Sequence, residues 1–160
     1  MITSNPLEAS EPMYPFCVIA LLLMGCHAVA QDDARLLQAI GQVEGGVRTQ
    51  RGDNGAAYGL YQLHRASWQE GNAQLAREGR QTYSLLQWRS PVAQDMVALA
   101  LLRVIRGRLA SEGIHTPTPQ QLALIWGMGF TGAKAVGFDH RKAPTAKADY
   151  AQRVANLACR

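Results

Sequence analysis

Apolar residues recur along this chain at spacings that predict helices separated by polar or glycine-rich breaks. Leu36, Leu37, Ile40 and Val43 form a stripe at helical period and predict a helix running to Glu44, with Asp32 or Asp33 as its cap. Residues 45–57 are rich in Gly, Arg, Asp and Asn, have no period, and predict a loop or a short hairpin. Trp68 opens an amphipathic stretch that ends near Arg77, and residues 78–89 are polar and irregular. Ser90-Pro91 has the form of a helix start, with serine as N-cap and proline at the first helical position. The helix it opens carries Val92, Met96, Val97, Leu99, Leu101, Leu102, Val104, Ile105 and Leu109, apolar on nearly all sides, and belongs at the centre of the fold. Thr116-Pro117-Thr118-Pro119 caps a further helix from about Gln120 to Gly127. Glycines 127, 129, 132 and 137 then predict a tightly turned loop, Asp139 to Lys147 a basic surface connection, and Ala146 to Ala158 a closing helix. The pattern is that of one mainly α domain with at most a small β-hairpin near residues 47–62.

The beginning of the chain changes this picture. From Pro15 to Gly25 it is almost wholly apolar, shorter than the roughly 20 residues needed to cross a bilayer as a helix. That length suits the apolar region of a signal peptide, and Ala28-Val29-Ala30 follows as a small-residue cleavage site. Residues 1–30 are therefore expected to be a leader and residues 31–160 the working domain. Glu8 and Glu11 precede the apolar run where a basic segment is usual, so Met13 is a candidate for the true start. Leu23-Met24-Gly25-Cys26 offers a competing processing site, at which Cys26 would be lipidated. Either way the expectation is export to the periplasm or cell envelope.

Of 160 residues, 48% are hydrophobic, which suits a single compact domain. Loss of the leader would raise the net charge from +4 to +6, with 16 basic against 10 acidic residues. A basic exported protein is drawn to anionic wall polymer or membrane surface. The basic residues are not interleaved with aromatics, and Arg103, Arg106 and Arg108 lie on the most apolar helix, so no nucleic-acid partner is expected. With Cys17 and Cys26 in the leader, Cys159 has no disulfide partner. The histidines at 27, 64, 115 and 140 show no metal-ligand spacing, so neither metal nor other cofactor is expected.

The candidate chemistry centres on Glu44. Residues four, seven and eight positions earlier are apolar, so the Glu44 side chain emerges from the face that packs inward. Desolvation there would raise the carboxyl pKa, and a carboxylic acid kept protonated near neutrality can donate a proton to a leaving oxygen. Gly45 and Gly46 stop the helix directly afterwards, placing the acid at the lip of a cleft. Tyr58 and Tyr61 offer flat faces on which sugar rings could stack, although aromatics at this spacing also serve as core. Asp53 has two readings. It could be the second carboxylate of a hydrolysing glycosidase, or an Asp-Asn-Gly turn residue kept for local hydrogen bonding. The turn chemistry suffices to account for it, and that reading is preferred.

Glu44, the Gly52-Asp53-Asn54-Gly55 loop and Ala57-Tyr58-Gly59-Leu60-Tyr61-Gln62 together resemble the signature of the lysozyme-like superfamily, most closely its lytic transglycosylase group. Two later segments, Trp126-Gly127-Met128-Gly129 and Tyr150-Ala151-Gln152-Arg153-Val154, resemble further motifs of that group in the right order. Two positions depart: Gly45 stands where the group has serine, and Gly127 where it has asparagine. The resemblance covers about 130 residues, and it implies a lysozyme-like fold acting on peptidoglycan glycan strands at the β-1,4 bond between N-acetylmuramic acid and N-acetylglucosamine. It implies that Glu44 acts first as acid on the glycosidic oxygen and then as base on the muramyl C6 hydroxyl, leaving a 1,6-anhydro product. It also implies that Gln62, Trp126 and Tyr150 line the sugar cleft, a packing role being the competing reading for Trp126.

Two other readings accompany this one. A hydrolytic lysozyme would use Glu44 and Asp53 together. A non-catalytic glycan-binding part of the envelope would need neither, and the glycines at 45 and 127 encourage that view. Relatives of this kind often serve envelope-spanning secretion or conjugation machines, which makes such a machine a candidate partner.

Overall fold

Leu36, Leu37 and Ile40 are almost fully withdrawn from solvent, on one face of a helix over residues 32–43, α1, as their spacing requires. The computed structural model describes residues 32–160. The expected leader, with Cys17 and Cys26, lies outside the described residues. After α1 come three two-residue strands, β1 (Arg51–Gly52), β2 (Ala57–Tyr58) and β3 (Leu63–His64). They are followed by α2 (Arg65–Arg77), α3 (Pro91–Ser111), α4 (Pro119–Ala135) and α5 (Thr145–Ala158). The fold is mainly α with a small three-stranded antiparallel sheet in the order β1-β2-β3. The expected hairpin is the β1–β2 pair, and β3 adds a third strand beyond it.

Helix α3 is the axis of the core. Val97, Ala98, Leu102 and Leu109 show no exposed surface, and burying one such leucine is worth about 1.5–3 kcal/mol. Its start is as the sequence predicts, with the Ser90 hydroxyl accepting from the Ala93 amide at 3.3 Å and Pro91 at the first helical position. Helix α2 packs mainly on α3, and α5 mainly on α4. Helix α4 is opened by a capping box, in which the Thr118 amide donates to Gln121 and the Gln121 amide to the Thr118 hydroxyl.

Three expectations need correction. Asp33 does not cap α1: it lies within the helix, 5% exposed, and its Oδ1 accepts from Arg106 Nε at 2.9 Å and Nη2 at 2.6 Å. Pairing with the α3 arginine makes its burial tolerable, because a lone buried carboxylate would be costly. The segment after Gly127 is not a loop. Helix α4 breaks at Gly129, with φ +78° and ψ +161°, and resumes to Ala135. Only glycine adopts those angles without strain, so one residue carries the whole interruption. Finally, Val92 on α3 is 61% exposed, on the outer side of a first turn whose Ala93 and Gln94 are buried.

The three α3 arginines are each matched to a carboxylate: Arg103 to Glu78 at 2.7 Å, Arg106 to Asp33, and Arg108 to Glu70. Among the described residues no helix is long and apolar enough to cross a membrane.

Candidate active site

Glu44 follows the last helical residue of α1, its amide still donating to the Ile40 carbonyl at 2.9 Å. The Gly46 amide then closes the helix on the Gly41 carbonyl at 2.8 Å. Gly45 has φ +107°, a conformation open to glycine and strained for serine, so the departure at this position follows from the backbone. The Glu44 side chain is half-buried, and its Oε1 accepts from the Tyr150 hydroxyl at 2.7 Å. Loss of hydration holds its carboxyl above the ordinary value. That effect outweighs the opposing influence of the Tyr150 hydrogen bond and of the charges on Lys147 and His64. The phenol of Tyr150 is itself pushed far up by burial and by Glu44, so it remains a donor. One carboxyl oxygen is thus anchored, and the other is left to carry a proton toward the cleft.

Gly127 leaves this anchor uncrowded. A methyl group there would stand 3.0 Å from Tyr150 Cδ1 and 3.1 Å from its Cε1, so the ring reaches Glu44 across the face of a glycine. The position where the transglycosylase group has asparagine is occupied here by the ring of Tyr150.

Glu44 opens into a cleft of about 720 Å³ to which the sheet and helices α2 to α5 all contribute. Of the residues singled out in the sequence, Glu44, Asp53, Gln62, Trp126 and Tyr150 line it together. Trp126 is fixed by its indole N–H, which donates to the Tyr61 carbonyl at 3.2 Å. Gln62, with φ +48°, turns its side-chain amide back to donate to the Gly59 carbonyl at 2.7 Å.

Tyr58 and Tyr61 are elsewhere. Tyr61 is 6% exposed, its ring in the core and its hydroxyl donating to Asp95 Oδ1 at 2.7 Å. Tyr58 packs edge-on against Trp88 with ring centres 5.7 Å apart, under the Arg51 guanidinium. Neither ring lines the cleft, because Tyr61 turns to Asp95 on α3 and Tyr58 to Trp88 just before that helix. What they do instead is secure the loop beside Glu44. Asp95 also takes both Arg48 nitrogens, at 2.8 and 3.3 Å. Beside it the fully buried Gln94 accepts from the Leu60 amide at 2.8 Å. Its amide donates to the Arg48 carbonyl at 2.8 Å and to the Trp88 carbonyl at 2.7 Å.

Sequence reasoning missed four cleft residues of interest. His64 sits on β3 directly after the turn that carries Gln62, and no pattern in the sequence singled it out. Lys147 lies one turn before Tyr150 on α5, a spacing that puts the two on one face, and its Nζ donates to the Gly127 carbonyl at 2.5 Å. Glu70 and Arg108, paired across α2 and α3 in the cleft, left no local signal. No cluster of three or more potential metal ligands occurs among the described residues. Compared with protein-family models, with curated proteins and with solved structures, the chain matches none of them.

Proposed function

We propose that the protein is a glycosidase of peptidoglycan, acting on the β-1,4 bond between N-acetylmuramic acid and N-acetylglucosamine as a lytic transglycosylase. The observation that carries this reading is the state of Glu44. It is a carboxyl raised by desolvation, anchored at one oxygen by Tyr150 and open to a cleft large enough for a sugar strand. Such a group can be protonated when the glycan arrives and can donate that proton as the glycosidic bond breaks. The resulting carboxylate can take the proton of the C6 hydroxyl as that oxygen closes on C1, so one residue serves both steps. Trp126 and Gln62 supply an apolar wall and a polar one for the sugars. The two glycine departures are accounted for by backbone conformation at Gly45 and by the Tyr150 ring at Gly127, which weakens the case for a binding module without activity. A glycan substrate of this kind fits an exported, envelope-associated protein, the location expected from the leader.

The second reading, a hydrolytic lysozyme, is favoured by the presence of Asp53 in the same cleft. Digestion of purified sacculi by wild type and by Glu44→Gln, with products read by mass spectrometry, tests both. Anhydromuramyl fragments from the wild type alone are expected. Reducing-end fragments alone would favour the lysozyme, and silence from both folded proteins would overturn the assignment.

A further inference from the structure

Three large apolar side chains stand exposed among the described residues: Leu86, at 92%, Val92 and Val47. They come from the turn before α3, the first turn of α3 and the loop after Glu44, yet one set of contacts joins these segments. Arg48, next to Val47, brings its Nη1 to 3.5 Å from the carbonyl of Pro91, next to Val92. The Gln94 amide ties the Arg48 carbonyl to that of Trp88, two residues after Leu86. Leu86 itself is held out on a braced turn. The Ser84 amide donates to the Gln87 side chain at 2.9 Å, and the Trp88 amide to the Leu85 carbonyl at 3.1 Å. Single apolar residues on a surface are ordinary, but a group of them in one region marks a place of contact.

Charge gives the group its character. Arg89 lies over the Trp88 ring, 4.5 Å from its centre, and Arg51 over the ring of Tyr58 at 4.9 Å, where the two aromatics meet. Neither guanidinium is paired with a carboxylate among the described residues. Residues 45–52 and 84–95, which build this region, carry Arg48, Arg51 and Arg89 against Asp95 alone. Asp95 is taken up by Arg48 and the Tyr61 hydroxyl. Two stacked, weakly hydrated guanidiniums are thus left facing outward, a form suited to phosphate. None of the three apolar residues and neither arginine lines the cleft of Glu44.

We propose that this face docks the protein peripherally on an anionic lipid surface, Arg51 and Arg89 meeting headgroup phosphates while Leu86, Val92 and Val47 enter the edge of the acyl layer. Phosphate headgroups over an acyl edge supply the charged and the apolar partner together. A soluble anionic polymer supplies only the first, and a protein partner would need a hollow where Leu86 stands proud. Ala57 lines the cleft, while Tyr58, next to it on β2, turns to Trp88, as successive residues of a strand do. Cleft and docking face thus lie on opposite sides of the sheet, and the docked molecule holds its cleft open away from the lipid. The docking itself stands without the reading of Glu44.

The test is flotation of the full chain with vesicles of phosphatidylcholine alone and of equal parts phosphatidylcholine and phosphatidylglycerol. Residues 1–30 carry Glu8 and Glu11 and no lysine or arginine, so binding through them gains nothing from anionic lipid. The wild type is expected to bind the anionic vesicles at least about tenfold more tightly, and to lose that gain in high salt. Arg51→Gln combined with Arg89→Gln should remove most of the gain. Leu86→Ser combined with Val92→Ser should weaken binding to the anionic vesicles about tenfold. Arg35→Gln combined with Arg160→Gln, an equal loss of charge beside the hollow between α1 and α5, should leave binding nearly unchanged. All six side chains are exposed, so each variant keeps the core intact. Equal binding of the wild type to both vesicles overturns the inference. So does an equal loss in the Arg35, Arg160 variant, which is general attraction of a basic protein, or no loss in the Leu86, Val92 variant, which is adsorption by charge alone. Sacculus digestion, followed in parallel, should be unchanged in every variant, and its absence in the wild type overturns the glycosidase while leaving the docking face standing.

Discussion

The Tyr150 ring packs against Gly127, and a methyl group there would press on it: Cδ1 would be 3.0 Å from a Cβ at that position, so the ring would have to give way. The hydroxyl of the same ring holds Glu44 Oε1 at 2.7 Å, so the size of residue 127 and the setting of the acid are linked. On an exposed helix, Gly→Ala gains up to about 1 kcal/mol from propensity. Gly127→Ala is expected to lose that gain to the displaced ring and to lower the rate of sacculus digestion. Tyr150→Phe, which removes the hydroxyl and keeps the ring, should lower it too. The double variant should be no slower than the worse single one, since both act through one hydrogen bond. Initial rates of the three variants against wild type check this.

Glu44 itself should be a source of instability. Its carboxyl is raised from 4.5 in the folded protein, so between that value and its folded value the native state holds a proton that the unfolded chain releases. Its contribution is most favourable below pH 4.5 and is lost as pH rises through the folded value. Glu44→Gln should therefore raise the melting temperature at pH 7, and the gain should vanish near pH 4, as thermal unfolding at the two pH values would show. Turnover by the wild type should fall over the same rise in pH, as the acid loses its proton.

Gln94 is the knot between α3 and the loop beside the acid. Replacing it with leucine keeps the volume and strands the Leu60 amide and the Arg48 and Trp88 carbonyls. A loss of roughly 2–4 kcal/mol is expected, since each buried group left unpaired costs about 1–3 kcal/mol and some will find water. Urea denaturation followed by circular dichroism measures it.

The Asp33–Arg106 pair offers a cleaner cycle. Arg106→Met alone leaves a buried carboxylate without its partner and should cost about 3–5 kcal/mol. Asp33→Leu combined with Arg106→Met removes both charges and should recover most of that loss. Denaturation midpoints of the two singles and the double give the coupling directly.

Much of this architecture was legible because it is local. Stripes such as Leu36, Leu37 and Ile40, and caps such as Ser90-Pro91 and Thr118-Pro119, state their helix within a few residues. Glu44 could be located by the same arithmetic, since its surroundings follow from residues one and two turns earlier. Tyr58 and Tyr61 could not be placed, because an aromatic ring serves sugar and core equally well, and the buried Gln94 and the half-exposed Asp95 that claim that loop lie over thirty positions downstream. Asp53 was hidden for the opposite reason: its turn accounts for the residue type, and only the sheet register that sets the turn beside His64 brings it into the cleft. Gly129 hid in a similar way, among glycines that together resemble a loop.

The break at Gly129 also decides how α4 meets a ligand. An intact helix shows a cleft one residue in three or four, and the rest of its sequence is spoken for by packing. With the interruption, the cleft is lined without a gap from Ile125 to Phe130. Six neighbouring letters of the sequence thus form one continuous wall, held rigid by a helical segment on either side. Exchanging Trp126, Met128 or Phe130 edits the groove directly, as it would in a binding loop, while the ordering of that wall has already been met by the cooperativity of the two helical halves.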